Sequence, residues 1–164
     1  MNSTTLSHAM ATALAVTPLL WPTAGLGQTV DLGNLGDRGF RIEGASEYDQ
    51  SGFSVSGAGD VNGDGLADLI IGAPEADGGG YSSGESFVVF GKADSGRVNL
   101  LTLQQNSNGF QIDGPGAADR AGISVSGAGD VNGDGLDDLI VGVYGGDPGG
   151  KYNAGETYVV FGKT

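Results

Sequence analysis

The sequence predicts an all-β fold of two β-propeller-type blades, each a four-stranded antiparallel sheet, arranged as an incomplete ring. Three observations predict it. The chain repeats itself after residue 38: "GFRIEG" at 39–44 returns as "GFQIDG" at 109–114, and "FSVSGAGD" at 53–60 as "ISVSGAGD" at 123–130. "GESFVVFGK" at 84–92 likewise returns as "GETYVVFGK" at 155–163. The apolar residues lie in short β-branched and aromatic runs bounded by glycine, and no segment after residue 30 shows a 3.6-residue period. Repetition of this kind implies stacked units that bury a continuous core between neighbours.

Taken in order, residues 1–27 read as a secretory signal peptide, with an apolar stretch from Ala9 to Trp21 and small residues Ala24, Gly25 and Gly27 behind it. The single histidine, His8, falls there and is no candidate ligand or base. Residues 28–38 read as a linker, 39–108 as the first repeat, and 109–164 as a second repeat lacking its own last strand. Phe40–Ile42 and Phe110–Ile112 alternate with polar residues as edge strands do. Phe53, Val55 and Gly57 alternate with Ser54 and Ser56, a strand period. Leu69–Ile70–Ile71 is continuous, as expected of a strand covered on both faces. Ser86–Phe90 is β-branched and aromatic, and Gly91 stops it.

Composition narrows the function. The chain of 164 residues has a formal net charge of −13, which argues against nucleic acid and anionic membrane as partners. There is no cysteine, so neither disulfide nor thiol chemistry is available, and metal is the usual alternative staple for a small secreted domain. No stretch is long enough for a membrane span.

The chemistry lies in a loop written twice, D-x-N-x-D-G-x-x-D. Its candidate ligands are Asp60, Asn62, Asp64, Leu66 and Asp68, then Asp130, Asn132, Asp134, Leu136 and Asp138. Side-chain oxygens at positions 1, 3 and 5 can converge on one point. Position 7 offers a backbone carbonyl while its side chain turns inward as an anchor, and position 9 closes the site. Gly63 and Gly65 permit the positive φ of a sharp turn. Hard oxygen donors in this number suit Ca²⁺, giving two sites; zinc prefers nitrogen and sulfur, and Mg²⁺ demands stricter geometry. A helical EF-hand loop needs a bidentate Glu at position 12, where this chain has Ile71 and Val141.

The run Gly52–Phe53, "GDVNGDG", "DLIIGAP" and "SFVVFG" resembles the FG-GAP repeat of integrin α-subunit β-propellers, and the resemblance covers residues 39–164. It implies that each repeat is one blade of a seven-bladed propeller, with Ca²⁺ in the loop joining two of its strands and the ligands matched as above. Two blades cannot close a ring. Self-association, a longer parent chain, or Phe40–Ile42 folding back on Tyr158–Phe161 could each supply what is missing.

The resulting expectation is a secreted, calcium-binding, integrin-like FG-GAP module for cell adhesion or protein interaction, with calcium structural and no enzyme activity. A protein or glycan ligand would meet loops 74–83 and 144–154, flanked by Tyr81 and Tyr152. A second copy or other FG-GAP chains are the remaining partners. The alternatives are an accessory part of a secreted Ca-dependent hydrolase or a truncated fragment of a longer repeat protein. "GYSSG" around Ser82 matches a nucleophile motif, but the second repeat has "KYNAG" there and no base accompanies it.

Overall fold

A computed structural model of the chain describes residues 29–164. The expected leader over 1–27, with His8, lies outside the described residues. The chain divides after Asn34. In the described part of the first unit, the Asn34 N–H donates to the Asp31 carbonyl at 3.0 Å.

Residues 35–164 carry nine strands among the described residues: β1 (Ile42–Glu43), β2 (Ser54–Gly59), β3 (Asp68–Ala73), β4 (Glu85–Val89), β5 (Val98–Asn99), β6 (Gly109–Asp113), β7 (Ala121–Gly129), β8 (Asp138–Val143) and β9 (Glu156–Val160). There is no α-helix among them, only three short 3₁₀ turns. One antiparallel sheet runs β2-β3-β4-β6 and the other β7-β8-β9, while β1 and β5 form a parallel pair. Antiparallel sheets of this kind are consistent with FG-GAP blades.

The strand at Phe110–Ile112 is the outer strand of the first sheet, with Phe110 opposite Val88 and Ile112 opposite Ser86. The second sheet has three strands rather than four. Ile42–Glu43 lies beside Val98–Asn99 and not against Tyr158–Phe161. Glu43 holds this pairing together, accepting from Arg97 Nη1 at 3.2 Å and from Arg41 Nη2. Those two guanidinium groups, Arg97 first, hold the Glu43 carboxyl below the usual range.

Two apolar clusters result. One lies between the sheets: Ile70 and Val88 meet Leu139 and Val141, with Phe110, Ile112, Val125 and Val160 against them. The other covers the far side of the first sheet, where Ile71, Phe87 and Val89 pack under Val98, Leu100 and Leu103, joined by Phe40 and Ile42.

The structure corrects two details of the strand reading. The apolar row of β2 and the residue before it points outward, with Phe53 58% and Val55 68% exposed. Its serine row faces the second sheet instead, and the Ser54 hydroxyl donates to the Gly122 carbonyl at 2.8 Å. Leu69 is 37% exposed, so Leu69–Ile71 is not covered on both faces throughout.

Phe87 is 1% exposed, so truncation leaves a cavity the rigid sheet cannot close. Phe87→Ala is expected to lower unfolding free energy by about 3–5 kcal/mol. Val55→Ala should stay within about 0.5 kcal/mol. Urea unfolding of the two variants checks the contrast.

Candidate metal centre

The two acidic loops join β2 to β3 and β7 to β8, and they adopt one conformation. Asp60 accepts from three backbone N–H groups, Gly63 (2.8 Å) and Asp64 (3.1 Å) on Oδ1 and Gly65 (2.9 Å) on Oδ2. Asp130 does the same with Gly133, Asp134 and Gly135 at 2.7, 3.0 and 2.9 Å. Asn62 Oδ1 accepts from the Asp64 N–H, and its amide nitrogen donates to Asp64 Oδ2, both at 2.9 Å. Asn132 and Asp134 repeat that pair. Gly63 and Gly65 have φ of +78° and +85°, the left-handed backbone that a residue with Cβ avoids.

Asp68 and Asp138 occupy a different environment. Both are buried, at 1% and 0% exposure. Asp68 Oδ2 accepts from the Val61 N–H at 2.9 Å and Oδ1 from the Gly91 N–H at 2.8 Å. Asp138 accepts from Val131 at 2.8 Å and from Gly162 at 2.9 Å. Each carboxylate therefore pins the start of its loop to the residues after the sheet's third strand. Burial pushes the Asp68 carboxyl above its ordinary range, against the pull of the Gly91 and Val61 N–H groups. The charges of Asp64 and Asp60 push it further.

The structure thus gathers the five residues of each set into one loop. It does not aim their carboxylates at one point: among the described residues no group of three or more acidic side chains converges at metal-binding distance. The oxygens turn instead to the loop's own N–H groups. The donor chemistry nevertheless fits a hard cation. A carboxylate has about four lone-pair directions, and the Asp64 and Asp68 carboxylates each receive two hydrogen bonds. No aspartate of either loop forms an ion pair among the described residues, where the pairs involve Glu43, Asp94 and Glu75. Asp60, Asn62, Asp64, the Leu66 carbonyl and Asp68 are the groups that could hold an ion, and Asp130, Asn132, Asp134, Leu136 and Asp138 are their counterparts.

In the first loop position 7 is not the anchor: Leu66 is 44% exposed, whereas Val61, at position 2, is 1% exposed in the cluster between the sheets. The second loop has no such anchor at position 2, since Val131 is 58% exposed, while Leu136 is partly buried. Asp137 was also missed. Its Oδ2 accepts from the Asp60 N–H at 2.8 Å, and its own N–H donates to the Asp60 carbonyl at 3.1 Å, so the second repeat clasps the first loop. The available signal was one letter: Asp137 stands where the first repeat has Ala67.

Loops 74–83 and 144–154 expose Tyr81, Tyr144 and Tyr152, and the segment between β1 and β2 exposes Tyr48. Tyr48 and Tyr81 share a groove of about 320 Å³ with Glu47, Glu75 and Asp77. Ser82 is buried, with a positive φ of 47°, and its N–H donates to Asp77 Oδ1 at 2.7 Å. The described residues hold no histidine. Nearby, burial raises the Glu85 carboxyl, the charges of Asp113 and Asp49 raise it further, and the Gly78 N–H opposes them.

The FG-GAP repeat model matches residues 51–89 and 121–160. The chain is 36% identical to integrin alpha-PS2 of Drosophila melanogaster over 134 residues, which is 75% of this chain and 8% of that protein. It is 36% identical to integrin alpha pat-2 of Caenorhabditis briggsae over 103 residues, 63% of this chain and 8% of that protein. Integrin alpha-5 of Xenopus laevis is 34% identical over 109 residues, 65% of this chain and 10% of that protein. The chain therefore spans a tenth or less of these relatives.

Two measurements follow from this geometry. In chelator, Asp68→Ala strands two backbone N–H groups, each costing about 1–3 kcal/mol when buried and unpaired. Asp64→Ala, in the exposed part of the loop, should change metal-free stability by about 0.5 kcal/mol or less. Urea midpoints separate the two roles. For Glu85 the folded state favours the proton, so its stabilising contribution is full below the unfolded carboxyl value and is lost as pH rises through the raised folded value. Glu85→Gln should then raise stability at neutral pH and flatten the pH profile just above the ordinary carboxylate range, read by thermal unfolding across pH.

Proposed function

Because the chain is an FG-GAP repeat protein with two repeats, distantly related to integrin alpha subunits, we propose that it is a secreted calcium-binding module for adhesion or protein–protein interaction. One observation carries the reading: the D-x-N-x-D-G-x-x-D loop occurs twice in the same conformation, with no cationic side chain paired to its aspartates among the described residues. Asp60, Asn62, Asp64, Asp68 and the Leu66 carbonyl hold one ion, and Asp130, Asn132, Asp134, Asp138 and the Leu136 carbonyl the other.

When bound, calcium supplies two positive charges and accepts six to eight oxygen ligands. The residues do the rest. Asp68 and Asp138 keep the loop ends on the sheet, while Asp60 and Asp130 shape the turn through their three N–H contacts. Filling the loops offsets carboxylate repulsion and stiffens the hairpins, so the role of the ion is structural. Recognition belongs to loops 74–83 and 144–154, where exposed Tyr81 and Tyr152 sit on a rigid scaffold. The occupant is a protein or glycan.

The reading requires a calcium-dependent thermal midpoint. Dissociation constants of about 10⁻⁴–10⁻³ M suffice outside cells. At a hundredfold excess over the dissociation constant each site adds about 2.7 kcal/mol. The midpoint should therefore rise in calcium relative to chelator, by less in Asp60→Ala or Asp130→Ala and not at all in the double variant. A midpoint indifferent to calcium contradicts the proposal.

A further inference from the structure

Placing the repeats on one another exposes an asymmetry. Within the chain, one face of the first sheet (Ile70, Gly72, Val88) packs on one face of the second (Val125, Gly127, Leu139, Val141). Each sheet also has the other's counterpart face. On the first sheet Val98, Leu100 and Leu103 cover that face at Ile71, the counterpart of Val141, and leave it open toward β2. Ile70 and Val88 are 0% exposed, whereas Val159, the counterpart of Val88, is 46% exposed, and Ile140 is only partly buried. Leu139 is 0% exposed and Leu69 is 37%; Val125 is partly buried and Val55 is 68% exposed.

The glycines carry the same record. A Cβ on Gly72 would fall 1.9 Å from the Gly122 carbonyl, and one on Gly127 would fall 2.8 Å from the Gly57 carbonyl. Both are glycine because backbone meets backbone between the sheets. Their counterparts face nothing of the kind. A Cβ on Gly57 meets nothing within 4 Å, and one on Gly142 meets only Ser124 of its own sheet. Both free faces keep the surface that such an approach requires.

The outer strand fits the same arrangement. Phe110 and Ile112 of β6 lie over the Leu139–Val141 cluster of the second sheet. Seventy residues earlier, Phe40 and Ile42 lie over the Ile71–Phe87–Val89 cluster of the first. This segment stands where the outer strand of a preceding sheet would stand, and among the described residues no fourth strand lies on β9.

We infer that copies of this chain associate head to tail: the Ile140–Val159 face of one copy docks on the Val55–Gly57–Leu69 face of the next. The Phe40–Glu43 segment of the receiving copy then becomes the fourth strand beside β9. The contact repeats the internal one between the sheets. It is heterologous, so it closes into a ring or extends as a filament according to the rotation per copy. It does not depend on the calcium reading.

Sedimentation velocity of the full chain over a concentration series, in calcium and in chelator, provides the test. Two variants each remove one face. Gly57→Val adds a β-branched side chain into open space, and Val159→Lys adds a charge that lowers the chain's net negative charge, so general repulsion cannot explain a loss of association. The wild-type chain is expected to exceed its 16.3 kDa monomer mass as concentration rises. Each variant alone should remain at monomer mass with the thermal midpoint of dilute, monomeric wild type, and their equimolar mixture should form a complex that stops at two chains. Should Gly57→Val fail to fold, Val55→Lys blocks the same face. A wild-type chain that stays monomeric throughout overturns the proposal and leaves these faces to blades of another chain. So does association lost in Val159→Lys but kept in both variants of the other face, which would mean a symmetric contact.

Discussion

Three carboxylates within nine residues of the first repeat repel one another, and the constraint recurs in the second, where Asp137 makes four. At about 4 Å two like charges repel by roughly 1 kcal/mol in water and several-fold more where solvent is partly excluded. The loops answer first with backbone. Asp60 and Asp130 each draw in three N–H groups, a local nest of positive dipole that the glycines at positions 4 and 6 make reachable. Asp68 and Asp138 go further into the protein and hold the loop to the far side of its sheet. What backbone dipoles leave unbalanced is net charge, and the proposed calcium supplies it.

The closing aspartate gives the loop a link to the fold. Through Gly91 and Gly162 it ties the hairpin to the end of the third strand, so the loop cannot open without releasing a buried hydrogen bond. Those glycines also admit backbone where no side chain fits: a Cβ on Gly91 would lie 2.6 Å from the Ala67 carbonyl, and one on Gly162 at the same distance from the Asp137 carbonyl. Asp137 adds the cross-repeat link by binding the Asp60 backbone. Ion binding in the first loop would thus be felt in both sheets.

The duplication, the strands and their antiparallel order were legible in the sequence because they rest on local pattern and on spacing. The loop residues were legible for the same reason. Their environments were not. Val61 and Leu66 are both apolar members of a polar loop, and only the position of the second sheet decides that Val61 is buried and Leu66 exposed. The outward row of β2 has the same cause, since alternation identifies a strand but not which face meets a neighbour. The parallel pairing of β1 with β5 joins segments too short to leave any pattern. Asp137 became visible only when the two repeats were placed side by side in space.

Direct counting of bound ion tests the central claim. Isothermal titration of metal-stripped chain with calcium should give two sites, falling to one in Asp130→Ala, with magnesium competing poorly. No heat and no ion uptake at millimolar calcium would contradict the account, leaving the acidic loops as backbone-capped turns in a glycine-rich β duplication.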